Sequence, residues 1–224
     1  MHNSVFDFVT HNRSLLLHGI AATAFVLIVS ILLSIPGGLL FGMLRCANIR
    51  VLRYSTRVFL EMYRALPMPL LLLAGFFLLP QISQIQLSGD AVAIIVFSVW
   101  GSVEIGELIR GAIESLPKIQ AEAGRTLGLS KIQLYRYILI PQAIPRILPG
   151  SMNLITRMVK TSSTLILVGV VDIVKEIQQI IERTKEPLFG YTLLALIFFA
   201  FCFPLSVLAK RWETRFGNPA GEIK

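Results

Sequence analysis

Long apolar runs separated by short polar stretches dominate the chain. Residues 14–44, between Arg13 and Arg45, contain no Asp, Glu, Lys or Arg. At about 1.5 Å of rise per residue such a run exceeds the roughly 30 Å of a bilayer's hydrocarbon. Residues 65–89, between Arg64 and Asp90, and 187–209, between Glu186 and Lys210, are equally free of charge. Two further runs are interrupted by ionisable groups: 91–112 holds Glu104, Glu107 and Arg110, and 147–171 holds Arg157 and Lys160. The pattern predicts an all-α, polytopic membrane protein with five transmembrane helices, at about 15–44, 60–80, 90–113, 145–171 and 187–210. A polar segment, 115–141, separates the third from the fourth. The first run is too long for the apolar region of a signal peptide, and no clear basic stretch precedes it, so it is expected to be a retained span.

Composition agrees. Hydrophobic residues make up 54% of the 224, charged residues 15%, and mean hydropathy is +0.71. A soluble domain does not need that much apolar surface, whereas a bundle solvated by lipid does. There is no linker, low-complexity tract or evident repeat, so residues 1–224 are expected to form one domain. The net charge of +8 requires no nucleic acid, because the cations cluster in alternate loops. Arg45, Arg50, Arg53 and Arg57 occupy the first connection, and Lys118, Arg125, Lys131, Arg136 and Arg146 the third. The second has no Lys or Arg, and the fourth is slightly acidic. Basic loops face the cytoplasm. That places the N-terminus outside, the C-terminus inside, and 115–141 on the cytoplasmic side, where anionic headgroups also attract it. Cys46 and Cys202 sit at or within apolar runs with no CxxC, and are expected to be packed thiols rather than metal ligands.

The segment 122–141, EAGRTLGLSKIQLYRYILIP, is polar and helix-friendly, hence a docking surface in water. It predicts one helix from Pro117 to about Leu127 and a corner at Gly128, where a positive φ is available. A second helix would be capped by Ser130 and Gln133. Its apolar side would carry Ile132, Tyr135, Ile138 and Leu139, with Pro141 and Pro145 ending it. Earlier in the chain, Ser34-Ile-Pro-Gly-Gly38 predicts a kink or a close helix contact, and Leu66-Pro67-Met68-Pro69 a break before the second span.

The register Glu122-Ala123-Gly124, then Gly128, Ile138, Ile140 and Pro141, resembles the "EAA" coupling loop of bacterial ATP-binding-cassette importer permeases. Gly124 stands where the family has a second Ala, and Ile140 where it has Leu. Glu61-Met-Tyr-Arg-Ala-Leu-Pro67, Glu107-Leu-Ile-Arg-Gly-Ala-Ile113, Leu139-Ile-Pro-Gln-Ala143, Leu148-Pro149, Asn153 and Lys160-Thr-Ser-Ser163 are similar to further elements of the polar-amino-acid group, the histidine/glutamine/arginine type. The similarity runs in order over about residues 15–215.

The resemblance implies a non-catalytic permease subunit in a bacterial inner membrane, importing amino acids or similar polar solutes. Its implied partners are two cytoplasmic ATPase subunits, a second permease chain (identical or related), an external substrate-binding protein and the bilayer. Glu122, Ala123, Gly124, Gly128, Ile138 and Pro141 would engage the ATPase. The chain has no G-x-x-x-x-G-K-[ST] loop, so ATP and Mg would be bound by the partner and no cofactor by this chain. An intramembrane enzyme is disfavoured: His2, His11 and His18 lie near one end, and HExxH, GxSxG and paired intramembrane Asp are all missing. An ion-coupled secondary transporter or a membrane scaffold subunit is the alternative.

Ionisable groups inside spans are costly and commonly functional. Arg157 and Lys160, three apart, share a helix face that Thr164 would extend and Asn153 precede. Glu104 stands where the family usually has Tyr, and Arg157 where it is usually apolar. The two are expected to pair across the bundle or to hold the ends of a zwitterionic amino acid. Lys160 fits the family's pattern irrespective of substrate. Leu154 and Leu71 replace an acid frequent in basic-amino-acid members and a frequent Gln, respectively. Glu61, Arg64, Glu107 and Arg110 are expected to be a gate or structural pairs.

Overall fold

The structure, a computed structural model, describes residues 9–47 and 49–216. His2 lies outside them. Among these residues the regular elements are all helical: α1 Arg13–Arg45, α2 Arg50–Ala65, α3 Met68–Ser83, α4 Gly89–Glu114, α5 Lys118–Thr126, α6 Lys131–Leu134, α7 Ile140–Thr161, α8 Ile173–Thr184 and α9 Pro187–Phe216. A π-helical turn, Tyr135–Leu139, joins α6 to α7, and a 3₁₀ segment, Ser162–Val168, follows α7. Three helices are long and apolar enough to cross a membrane: α1, α4 and Pro187–Arg215 of α9. The pair α2–α3 qualifies as a fourth only when taken together, and it is bent by 108°.

That bend has a local cause. A residue before proline is pushed out of the helical region, and Leu66, before Pro67, sits at φ −90°, ψ 134°. Pro69 is tolerated in the first turn of α3, where its missing N–H breaks no ladder bond. Glu61 and Arg64 therefore belong to α2, a separate helix from the apolar α3.

Helix α1 continues through Pro36 for 33 residues, so Ser34-Ile-Pro-Gly-Gly38 makes a close contact rather than an interruption. The contact is with α4. Ser34 Oγ donates to the carbonyl of Ser98 at 3.2 Å and also to that of Ser30 at 2.7 Å. Opposite, a Cβ on Gly106 would lie 2.8 Å from the backbone nitrogen of Gly42. Small side chains let two helices approach closely where lipid supplies no hydrophobic drive.

The main core gathers Val26 and Leu27 of α1, Leu72 of α3, Val92, Val96 and Phe97 of α4, Leu154 and Met158 of α7, and Leu165 and Val168 of the 3₁₀ segment. A second cluster joins Leu16 of α1 to Ile173, Ile177 and Ile180 of α8 and Leu193 of α9. Here Asp172 caps α8, accepting from the Lys175 N–H at 2.9 Å, and Gly19 lets α1 approach within reach of the Ile173 backbone. A third, small cluster of Leu116, Leu134 and Leu139, with Ala121 and Ile138, holds the polar segment together. Cys46 and Cys202 are free thiols, Cys202 buried.

Candidate functional site: a helical corner and a charged interior

The polar segment folds largely as its residues dictate. Helix α5 ends at Gly128, φ +77°, where the Gly128 N–H donates to Arg125 O at 2.9 Å and the Leu129 N–H to Gly124 O at 3.1 Å. Paired bonds of this kind close a Schellman cap. Ser130 and Gln133 form the reciprocal capping box: Ser130 N–H donates to Gln133 Oε1 at 2.9 Å, and Gln133 N–H to Ser130 Oγ at 3.4 Å. Glu122, Ala123, Gly128 and Pro141 are exposed. Gly124 is buried: a Cβ there would lie 2.6 Å from Leu134 Cδ1 and 3.0 Å from Ile138 Cδ1, so its place in the motif is a close-packing position. Nothing lies within 4 Å of a Cβ built on Gly128, so the constraint there is the backbone angle, not a clash within the chain.

Two expectations fail in this segment. Pro141 and Pro145 do not end the second helix. The turn at 135–139 is π-helical, and Pro141 falls in the first turn of α7, so the chain runs from α6 into α7 without a break. A wider π turn relieves the clash that a proline ring makes with the preceding turn of an α-helix. The four apolar residues do not share one face either: Leu139 is buried and Ile138 packs beside it, while Ile132 is 79% exposed. The extra residue in the π turn rotates the later positions away from the earlier ones.

Inside the bundle two carboxylates each hold two guanidiniums. Glu104, 6% exposed, accepts from Arg64 Nε at 2.9 Å and Nη2 at 3.2 Å, and from Arg157 Nη2 at 2.9 Å. The guanidinium of Arg157 also lies 5.7 Å from the Trp100 ring centroid, a cation–π contact. Glu107 accepts from Arg45 Nη2 at 2.7 Å and Nε at 3.1 Å, and from Arg110 Nη2 at 2.6 Å and Nε at 2.9 Å. Arg110 also pairs with Glu114.

The Glu104–Arg157 pair is thus present, with Arg64 as its third member. Arg64 pairs with Glu104, and Arg110 with Glu107. Arg45 pairs with Glu107, and Glu114 joins through Arg110. Glu61 lines a cavity of about 300 Å³ with Arg45, Arg53, Arg57, Glu107, Arg110 and Glu114. Asn153, Arg157 and Lys160 are exposed along one flank of α7, opposite buried Leu154 and Met158. Thr164 does not extend that flank as a helical neighbour, because the α-helix gives way to 3₁₀ geometry at Ser162.

One pair went unread in the sequence. His18 Nδ1 lies 2.8 Å from Glu176 Oε1 and ties α1 to α8. A lone His in an apolar run and a Glu 158 positions later carry no signal that joins them.

The long apolar helices and the capped corner between them are those of a polytopic membrane protein. The family model of the binding-protein-dependent transport system inner membrane component matches residues 34–218, and the chain belongs to that family. It is 33% identical over 200 residues to the probable glutamine ABC transporter permease protein GlnP of Bacillus subtilis (strain 168), covering 88% of this chain and 91% of that one. To the glutamate transport system permease protein GluD of Corynebacterium glutamicum it is 32% identical, covering 88% and 73%. A crystal structure of an amino acid ABC transporter with histidines shares the fold, with a TM-score of 0.84 at 23% identity over 96% of this chain and all of that one.

Proposed function

We propose that this chain is a pathway-forming permease subunit of an importer for amino acids or similar polar solutes, and that it crosses the bacterial inner membrane five times. The crossings are α1, the bent pair α2–α3, α4, α7 with its 3₁₀ extension, and α9. The N-terminus lies outside and the corner at Gly128 in the cytoplasm, in keeping with the basic loops. The observation that carries this reading is the corner itself. Two capped helices meet at an exposed glycine and run without a break into α7, the helix that bears Asn153, Arg157 and Lys160. A partner ATPase seated on Glu122, Ala123, Gly128 and Pro141, with Gly124 and Ile138 packing the corner from within, would then move the charged flank directly.

Two ATPase subunits, holding ATP and Mg, would serve two permease chains, and an external binding protein would deliver the solute. Glu104, Asn153, Arg157 and Lys160 line the pathway in this reading, with Thr164 at its outer end. Glu61, Glu107, Arg110 and Arg45 brace the cytoplasmic end. An ion-coupled relay would need a carboxylate free to change charge, and Glu104 and Glu107 each hold two guanidiniums.

The decisive experiment reconstitutes the chain with its ATPase and binding protein in proteoliposomes. ATP hydrolysis that rises when loaded binding protein is added, with ATP-dependent solute uptake, is the expected result. Hydrolysis indifferent to binding protein and solute would refute the reading.

A further inference from the structure

Resting on the import reading above, we infer that the pathway selects amino acids with acidic side chains, accepts amides less well, and excludes basic ones. The basis is the balance of charge around Glu104. Two guanidiniums, Arg64 and Arg157, share this one carboxylate, a surplus of one positive charge, and Lys160 follows one turn beyond Arg157 on the same helix. The carboxylate is also spoken for. Both of its oxygens are engaged by Arg64 and Arg157, and its side chain is only 8% exposed. The guanidiniums stand in the open: the Arg64 side chain is 41% exposed and that of Arg157 53%.

Arg157 meets Glu104 through Nη2 alone, so its Nη1 and Nε hydrogens are not engaged by Glu104. Arg64 likewise keeps Nη1 clear of Glu104. A guanidinium with an unused edge matches a carboxylate's two oxygens. Trp100 lies near one guanidinium and leaves it an apolar wall. Asn153, a turn before Arg157, adds an amide that can accept from an α-ammonium.

The other nearby carboxylates have cations of their own. Glu107 is held by Arg45 and Arg110, and Glu61 faces the cavity it shares with Arg53 and Arg57. A guanidinium or ammonium side chain entering beside Arg157 would meet like charge, with the Glu104 carboxylate already engaged by two guanidiniums. A second carboxylate on the solute meets an unused donor instead.

The test uses the complete permease–ATPase complex in lipid nanodiscs, with binding protein left out so that its own selectivity does not enter. L-glutamate, L-glutamine and L-arginine are titrated calorimetrically, and ATP-driven uptake by the reconstituted importer, binding protein included, is measured in parallel. Glutamate is expected to bind at least about tenfold more tightly than arginine, a difference of roughly 1.4 kcal/mol. That preference should weaken as salt rises. Arg157→Gln should lower glutamate affinity about tenfold. Arg157→Lys, which keeps the charge, should preserve the order of the three solutes, and both variants should retain bound ATPase. Arginine binding as well as glutamate, or an Arg157→Gln variant with unchanged affinities, would overturn the inference. So would uptake without any direct binding to the permease. Loss of both binding and uptake in the parent complex would remove the import reading along with it.

Discussion

His18 Nδ1 sits 2.8 Å from Glu176 Oε1, and the two residues join the first and eighth helices across most of the chain's length. The Glu176 side chain is 4% exposed, whereas the imidazole is 64% exposed. The bond therefore runs from an exposed residue to a buried one. His18→Ala should leave the buried carboxylate without this partner and cost about 1–2 kcal/mol, the range for an unsatisfied buried group. The unfolding temperature in detergent should fall by a few degrees. Glu176→Gln in the His18→Ala background should restore part of the loss, and additive single effects would show that the two side chains do not interact.

The seam between α1 and α4 supplies a sharper contrast. Gly106→Ala would press a methyl to 2.8 Å from the Gly42 nitrogen, which belongs to a helix backbone and cannot turn aside. Gly111, one helical turn and a half further on, has nothing within 4 Å of the same position. The first substitution should cost about 1–3 kcal/mol by overpacking, and the second should be neutral or stabilise by about 0.5–1 kcal/mol through helix propensity. Thermal unfolding of the two variants side by side decides the matter. Equal behaviour would contradict the packing described for the seam.

At the corner, backbone strain and docking separate cleanly. Gly128→Ala forces an L-residue to φ near +77° and should cost about 1 kcal/mol, with Gly128→Asn milder. Ser130→Ala removes a cap worth about 1 kcal/mol. Glu122→Ala is exposed and should leave stability unchanged while reducing the ATPase recovered with the purified permease. Gly128→Asp should release or uncouple the ATPase with the permease still in the membrane. Normal ATPase recovery and transport in both Glu122→Ala and Gly128→Asp would sink the docking assignment.

Glu107 is the hub of the second charged group. Glu107→Gln should strand Arg45, whose side chain is 6% exposed, and cost about 3 kcal/mol, the low end for a broken buried pair since Glu107 itself keeps some water. The double variant Glu107→Gln with Arg45→Met should recover much of that loss. The yield of folded protein after detergent extraction reads both outcomes.

Orientation can be read with thiol reagents in whole cells, after Cys46 and Cys202 are replaced by Ser. A cysteine at Gln86 should label from outside and one at Lys131 should not. The opposite labelling pattern would reverse the proposed topology.

The corner was legible in advance because its signals are local: a glycine at a helix end and a Ser-x-x-Gln spacing act within one or two turns. The Glu104–Arg157 pair was legible for another reason, since opposite charges inside apolar runs have few ways to be satisfied. The partner of Arg64 was not legible, because it depends on how α2 is laid against α4, which brings Arg64 to Glu104. The π turn was hidden because prolines at 141 and 145 read as stops when the preceding turn is assumed to be α-helical. His18 and Glu176 were invisible since their meeting depends on how α8 is laid against α1, a matter of packing rather than period.

The helical path from α6 through the π turn into α7 continues past Pro141, Pro145 and Pro149, so this part of the molecule can act as a lever. From Tyr135 to Arg157 the arm is about 33 Å long at 1.5 Å per residue. A tilt of about 10° at the docked end would then carry the Arg157 guanidinium by about 6 Å. That exceeds the span of a hydrogen bond. A modest rocking of the corner is enough to trade the Glu104–Arg157 contact for open space, so the same stroke that closes an ATPase could unlatch the charged interior.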